Sequence, residues 1–501
     1  MFARQWVVGA FLVLASNHAA AAGPSSQPAA ASQPAPAARL GEAAPAASAA
    51  TADQAPHRHL PLAGISDGSA FLRSPDGTFV FFPNGRIQAD AYLFRGPTEA
   101  STTKNTFLVK RARLELFGWI GSHFAYNIAG EFAATPPAGA DPIAPSALAT
   151  ADNWILAAPL SGKWRDTLLI YLGQYDLPFG LENRTSDKWF DFIERSIATT
   201  FAVPPKKDLG LSVSGILPNQ LVHWILGVFN GEGSNFKNVD NRYDVLGRAW
   251  IAPFALMRPN LASRITVGGS FWIGDRKDGL PYAAQSTAGG FKFLDPKWTS
   301  PIDPKPPLEL HQNGDLRGYA FELDAPLGHR LGLRFEYFHK DQKLSEYDIT
   351  STASGKMTAV GAARLKGWAL YAEAWGWLLG DDRLVGRPNV QTPARLTRFA
   401  VTPPRHGLQL LLRVERLDEH ITADNAANGN PLAGHTRVTS LEAGAVYWYT
   451  RRFRVLFNYD LNMFGSEASG GGPTANTAAV WTKLGGKHWE HEFLLRAAIA
   501  L

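Results

Sequence analysis

The chain has 501 residues, 45% of them apolar, a formal net charge of +5 and no cysteine. Charges of both signs are interspersed, so the basic stripe of a nucleic-acid binder is missing, and the lack of cysteine excludes thiol catalysis, disulfides and cysteine metal sites. Past the N-terminus no run approaches the roughly 20 consecutive apolar residues of a spanning helix, which excludes a multi-span helical membrane protein.

The first element is an address. Arg4 precedes the apolar stretch WVVGAFLVLA, and the small residues AAAAG follow at 19–23. This order predicts a secretory signal peptide over 1–22. Residues 23–63 are dominated by Ala, Pro and Ser, too poor in apolar side chains to offset the entropy of ordering, and read as a flexible linker. From 64 to 501 the composition stays uniform, which predicts one domain. The chain's 47 glycines, 15 tryptophans and 29 phenylalanines suit β-structure with aromatic side chains at interfaces.

Within that domain short segments alternate with a period of two, the signature of strands. GRIQADAYLF (85–94) sets Arg86, Gln88 and Asp90 against Ile87, Ala89 and Ala91. In VKRARLELFG (109–118) Arg111, Arg113 and Glu115 alternate with Ala112, Leu114 and Leu116. RLGLRFEYF (330–338), GLQLLLRVERL (407–417) and FRVLFNYDLNM (453–463) repeat the pattern. Each is close to the about 9–11 residues of a tilted membrane strand.

The links between them decide which face meets what. Tight links at 121–123, 217–220, 326–329 and 450–452 take turns with long polar stretches at 134–151, 230–242, 274–317 and 418–436. Short turns at one rim and long loops at the other predict an all-β fold, a transmembrane antiparallel barrel of about sixteen strands. Only 380–404 breaks the rule, being long where a short turn is due. Leu114 and Leu116 then face lipid, while Arg111, Arg113 and Glu115 face the lumen. Lys110 falls on the lipid side, near a rim where its amine reaches headgroups. Tyr92, Trp119, Trp224, Trp272, Trp375, Tyr447 and Trp448 are candidates for aromatic belts.

The segments RIQADAYLF, VKRARLELFGWIG, YLGQYDLPFGLENRTS with FIERS downstream, and DLGLSVSG resemble the phosphate-selective porins O and P of Gram-negative outer membranes. The likeness extends more loosely over 76–501. It implies a sixteen-stranded homotrimeric barrel in the outer membrane, among outer-membrane lipid and lipopolysaccharide, that passes small anions such as phosphate by diffusion. It also implies that the third long loop, 176–207, folds into the barrel and narrows it. On that resemblance Arg111 and Arg113 on the wall and Arg195 in the loop are pore or anion-binding candidates. Arg184, Lys188, Lys206 and Lys207 are further pore or anion-binding candidates, chosen as cations of that loop rather than by matching a family motif. Glu182, Glu194 and Asp208 are candidates for anchoring the loop.

Each of these has a plainer reading. Arg111 and Arg113 can pair with wall carboxylates such as Asp90 or Glu115, and Glu194 and Arg195 can pin the loop. The lumen side also gathers Glu322, Glu336, Glu373, Glu415, Glu442, Asp460, Glu490 and Glu492. So much acid suits a general or weakly anion-selective pore as well as a phosphate channel. Three rivals stand against a pore. A barrel enzyme would need a Ser–His pair on the lipid face, and His491 has no serine of defined spacing. A plugged receptor or adhesin would use the Pro-rich stretch within 274–317. A soluble secreted β-protein leaves the alternation of loop lengths unexplained. The pattern asks for no cofactor and no metal, and suggests no enzyme.

Overall fold

Alternating segments build sixteen antiparallel strands, each hydrogen-bonded to the next. The computed structural model describes residues 62–66, 69–96, 104–133, 149–203, 206–217, 221–254, 256, 264–277, 281–294, 296–299, 307–327, 330–348, 358–380, 406–424, 432–450, 452–468 and 489–500. The signal peptide and nearly all of the linker expected over 23–63 lie outside these residues.

The barrel strands are β1 (Phe79–Arg95), β2 (Thr106–Ile120), β3 (Phe124–Glu131), β4 (Asn153–Ala157), β5 (Leu169–Asp176), β6 (Lys207–Ile216), β7 (Val222–Phe229) and β8 (Asp244–Ile251). They continue as β9 (Thr266–Arg276), β10 (Pro307–Pro326), β11 (Leu331–Asp348), β12 (Thr358–Leu379), β13 (Gly407–Asp424), β14 (Leu432–Trp448), β15 (Phe453–Ala468) and β16 (Trp489–Ala500). β16 pairs back onto β1, with Arg496 opposite Asp90, so the sixteen-strand sheet closes. Closure removes the two free edges that an open sixteen-strand sheet would have.

The two faces are inverted relative to a water-soluble protein. Ile87, Leu114, Ile128, Ile155, Leu172, Leu226, Leu333, Leu412 and Leu495 stand exposed on the outside. Asp90, Glu322, Glu336, Glu373, Glu415, Glu442, Asp460, Glu490 and Glu492, all on the predicted inner parity, are buried inside. A continuous aliphatic outer face of this extent is far beyond what a soluble monomer leaves bare, and lipid is the solvent that accepts it.

Strand lengths correct two of the expected loops. β10 already begins at Pro307 and β9 ends at Arg276, so the link expected over 274–317 is 277–306. β13 runs to Asp424 and β14 starts at Leu432, so the link expected over 418–436 is only 425–431. Above the aliphatic belt the outer face carries polar residues such as Lys366 and His420. Pairing continues there, but the apolar side chains, Leu365, Leu417 and Ile421 among them, now lie inside, so the outward hydrophobic pattern stops and the sequence reads as loop. Of the stretch at 380–404, residues 381–404 lie outside the described residues. Because β12 and β13 pair as consecutive antiparallel strands, it is a long link at the short-turn rim, and the strand count holds.

A bulge in β2 corrects Lys110. The register steps from Gln88↔Arg111 to Ala89↔Val109, leaving Lys110 as the extra residue. Lys110 and Arg111 therefore both turn inward, and Lys110 Nζ lies 3.9 Å from Glu194. Tyr92, Trp272, Trp375 and Trp448, candidates for the outer belt, are buried on the inner face. There they pack against loop segments: Trp448 stacks on Trp189 and Trp272 meets Phe179 edge-on.

Two loops enter the barrel and supply its core. Link 177–206 carries Phe179, Phe192 and a short helix α1 (Ile197–Ala202), capped by Ser196 Oγ accepting from the Thr199 N–H at 3.0 Å. Link 277–306 carries a small hairpin in which Gln285 pairs with Leu294. Its Phe291 and Phe293 pack on Phe464 of β15.

Candidate functional site

The loop 177–206 is held on both sides of the lumen. On the β11–β16 side Glu336 Oε1 and Oε2 accept the Leu181 and Glu182 N–H groups at 2.5 and 2.8 Å. Gly180 makes this approach possible: its φ is +77°, and a Cβ there would lie 2.7 Å from the Glu336 carboxylate. Glu182 accepts from Ser196 Oγ at 2.6 Å and meets Arg413 at 3.2 Å. Arg454 donates to the Phe190 and Lys188 carbonyls at 2.7 and 2.5 Å. Arg496 bridges Asp90 and Glu194, both at 2.7 Å.

On the β1–β2 side cations of the wall meet carboxylates of the loop. Arg111 takes Glu194 with both terminal nitrogens, at 3.1 and 3.0 Å, and its Nε lies 3.0 Å from Asp187. Arg113 pairs with Glu131 at 3.1 Å and approaches Asp187 at 3.6 Å. Arg86 contacts both Asp187 and Glu115. Asp187, only 1% exposed, thus sits among Arg86, Arg111, Arg113 and Lys206. Such pairs hold position more than they add net stability, but removing one partner of a buried pair costs about 3–5 kcal/mol. Burial works against charge on Glu194, yet Arg111, Lys110 and Arg496 hold its carboxyl well below the usual glutamate range.

The remaining candidates sort by partner. Lys188 Nζ bonds Asn84 Oδ1 and Glu115 at 2.6 and 2.7 Å. Lys206 lies 3.7 Å from both Asp176 and Asp187, while Lys207 pairs with Asp176 at 2.8 Å and also with Asp152. Arg184 donates to the Asp176 carbonyl, and Arg195 to the carbonyls of Asn183 and Thr185. These two guanidinium groups are the candidates that bond carbonyl oxygens rather than carboxylates. Asp208 corrects the anchoring set: it accepts the Leu209 and Gly231 N–H groups at 2.7 and 2.6 Å, fixing the start of the β7–β8 link.

Arg111 and Arg113 do pair with carboxylates, but with Glu194, Asp187 and Glu131 rather than with Asp90 or Glu115. Sequence reasoning missed Asp187, Glu336 as an acceptor of loop amides, and Arg454 and Arg496 as loop anchors. Inner parity marks Glu336, Arg454 and Arg496 as luminal. Nothing in the sequence marks Asp187 among the other loop acids.

Between this loop and the short-turn rim lies a cavity of about 370 Å³. Its lining includes the charged Arg86, Arg113, Glu115, Asp152, Asp176, Arg184, Asp187, Lys206 and Arg248 and the aromatic Phe117, Trp154, Tyr171, Tyr175, Trp224 and Trp250. On the long-loop side the hairpin of 277–306 fills space beside Glu419 and Glu492. Gln285 donates to Glu419 at 2.9 Å, Thr287 Oγ1 bonds Glu492, and the Gly289 N–H donates to Glu492 at 2.8 Å.

Among the described residues one group has metal-ligand types within reach of one another: Asp418, His420 and His435 on the outer face, with ligand atoms within 4.8 Å. Arg416 and Arg437 also approach Asp418, at 3.8 and 3.5 Å, so cations already surround that carboxylate.

Residues 82–257 match the family model described as phosphate-selective porin O and P. No curated protein matches the chain. Among solved structures it is similar to OmpT, an outer-membrane protein of Vibrio cholerae, at 10% identity and a TM-score of 0.47, over 86% of this chain and 100% of that one. The outer membrane channel DcaP of Acinetobacter baumannii aligns at 9% identity and a TM-score of 0.44, over 86% and 99%. An anion-selective porin from Comamonas acidovorans aligns at 8% identity and a TM-score of 0.42, over 84% and 100%.

Proposed function

We propose, from a chain whose residues 82–257 match the phosphate-selective porin O and P family and whose sixteen strands close into a barrel, that the protein is an outer-membrane porin. It lets small hydrophilic solutes, anions such as phosphate among them, diffuse through the lumen. The observation that carries this reading is the inversion of the barrel: aliphatic side chains outside, acidic and basic ones inside, with the third long loop drawn into the lumen. Its anion preference rests on Arg184 and Arg195, whose charges meet carbonyls, and on the cation cluster of Arg86, Arg111, Arg113 and Lys206. In a confined, low-dielectric passage such charges focus the field on a passing ion. The balance of carboxylates around them argues for a modest preference.

The same reading places the protein in the outer membrane of a Gram-negative bacterium, in contact with lipid and lipopolysaccharide, delivered by a cleaved signal peptide and assembled as a homotrimer. The family resemblance supports the trimer. Solute-driven swelling of vesicles carrying the purified protein tests permeation: swelling in small hydrophilic solutes is expected, and its absence in every solute contradicts the reading.

One observation favours a second reading. The hairpin of 277–306 is bonded to Glu419 and Glu492 inside the barrel, as a plug would be, and a receptor barrel closed by that loop would not conduct.

A further inference from the structure

The cavity beneath the inward loop has a wall that a passage for small hydrated anions does not need. Phe117 of β2, Trp154 of β4 and Tyr171 and Tyr175 of β5 all face inward and form a continuous chain of rings. Their centroids are 6.2 Å apart from Phe117 to Trp154, 5.5 Å from Trp154 to Tyr171 and 5.9 Å from Tyr171 to Tyr175. At the Tyr175 end the chain meets charge: the Arg184 guanidinium lies 6.0 Å from the Tyr175 ring, and Lys206 also lines the cavity.

Strand register sets this arrangement. Phe117 and Trp154 both stand opposite Asn127, and Trp154 stands opposite Gly173, which has no side chain to separate Tyr171 from Tyr175. The rings thus share one stretch of wall. The face of an aromatic ring carries negative electrostatic potential and repels a bare anion, whereas it accepts another ring stacked or edge-on. A cavity of about 370 Å³ falls within the roughly 300–1,000 Å³ of ligand pockets, and this one sets its run of rings beside charged side chains.

We propose that this cavity is a subsite for anions that carry a planar apolar ring, aromatic carboxylates being the simplest class. The ring lies against Trp154 and Tyr171, and the carboxylate turns to Arg184 and Lys206. This rests on the reading of the protein as a diffusion pore, and it specifies the solute class of that same lumen.

The test records chloride current through the purified full-length protein in planar bilayers during titration with benzoate or with acetate. Benzoate is expected to reduce the current at about tenfold lower concentration than acetate, the effect of one good ring–ring contact. The Tyr171→Leu variant, and separately Trp154→Leu, should bring benzoate towards acetate while chloride conductance persists. Equal block by the two acids in a conducting wild-type channel overturns the subsite without touching the porin reading. If no chloride current exists, the porin reading fails, and quenching of tryptophan fluorescence by benzoate but not acetate then decides the subsite alone. Equal or absent quenching overturns it.

Discussion

Arg111 of the barrel wall grips Glu194 of the inward loop with both ends of its guanidinium group, at 3.1 and 3.0 Å. Bidentate pairing of this kind fixes geometry as well as charge. It ties the loop to the same wall that the family resemblance assigns to anion passage. Arg111 is therefore an anchor first, and its effect on ions comes through where it holds the loop.

Replacing Arg111 by Met removes one partner and leaves Glu194 to Arg496 and Lys110. A loss of about 3–5 kcal/mol is expected at a buried pair, read as a lower temperature for the heat-induced gel shift of the folded barrel. Channel conductance should rise as the loop loosens. The double change Arg111→Met with Glu194→Gln should cost less than the sum of the two single changes; strict additivity would mean that the pair contributes little to loop position.

Asp187 sits among four cations, with Arg111 Nε at 3.0 Å, Arg113 at 3.6 Å and Lys206 at 3.7 Å, and Arg86 in contact. Asp187→Asn removes the central negative charge beside the cavity. The zero-current potential under a salt gradient should move towards anions, with an anion-to-cation permeability ratio higher on the order of twofold. An unchanged potential would place this cluster off the conducting path.

The Glu194 carboxyl titrates well below its ordinary value of 4.5, because Arg111, Lys110 and Arg496 outweigh the effect of burial. In a released loop it would titrate near that ordinary value. Its anchoring is thus fully present above the ordinary value and is lost only as pH falls through the lower native one. Wild-type conductance is expected to stay level as pH falls to 4.5 and to rise below it. Glu194→Gln should remove that acid step. A wild-type rise already complete above 4.5 contradicts the assignment.

Removing 178–205 and joining the ends by a short turn should leave a closed barrel, because the strand ladder does not depend on that segment. Its conductance should exceed the wild-type value several-fold, the effect of clearing a loop from a lumen as wide as sixteen strands enclose. A folded deletion variant with unaltered conductance would show that the loop does not limit flow.

Most of the wall was legible in the sequence, because a strand's period of two can be counted from residues such as Arg86, Gln88 and Asp90 without knowing their neighbours. Counting fails where something resets it. The bulge at Lys110 shifts one residue inward, and no local feature of VKRARLELFG announces it. Strand ends above the aliphatic belt were lost for a different reason: there the alternation inverts, with Lys366 and His420 outside and Leu365 and Ile421 buried inside, so the pattern no longer marks a lipid-facing strand. The loop contacts were the least legible. Glu336 meets Leu181 and Arg496 meets Glu194 across long sequence separations, set by closure of the barrel rather than by any motif. Trp272 and Trp448 illustrate the same limit, since an aromatic side chain suits a lipid interface and a packed lumen equally well.

The measurement that bears most directly on function is the zero-current potential of the purified protein in a planar bilayer under a tenfold chloride gradient, followed by addition of phosphate. Stepwise conductance with a potential on the anion side, and chloride current reduced by phosphate, is the result predicted for a porin with cations at its constriction. Absence of any channel activity would contradict it and leave the barrel plugged by the hairpin of 277–306.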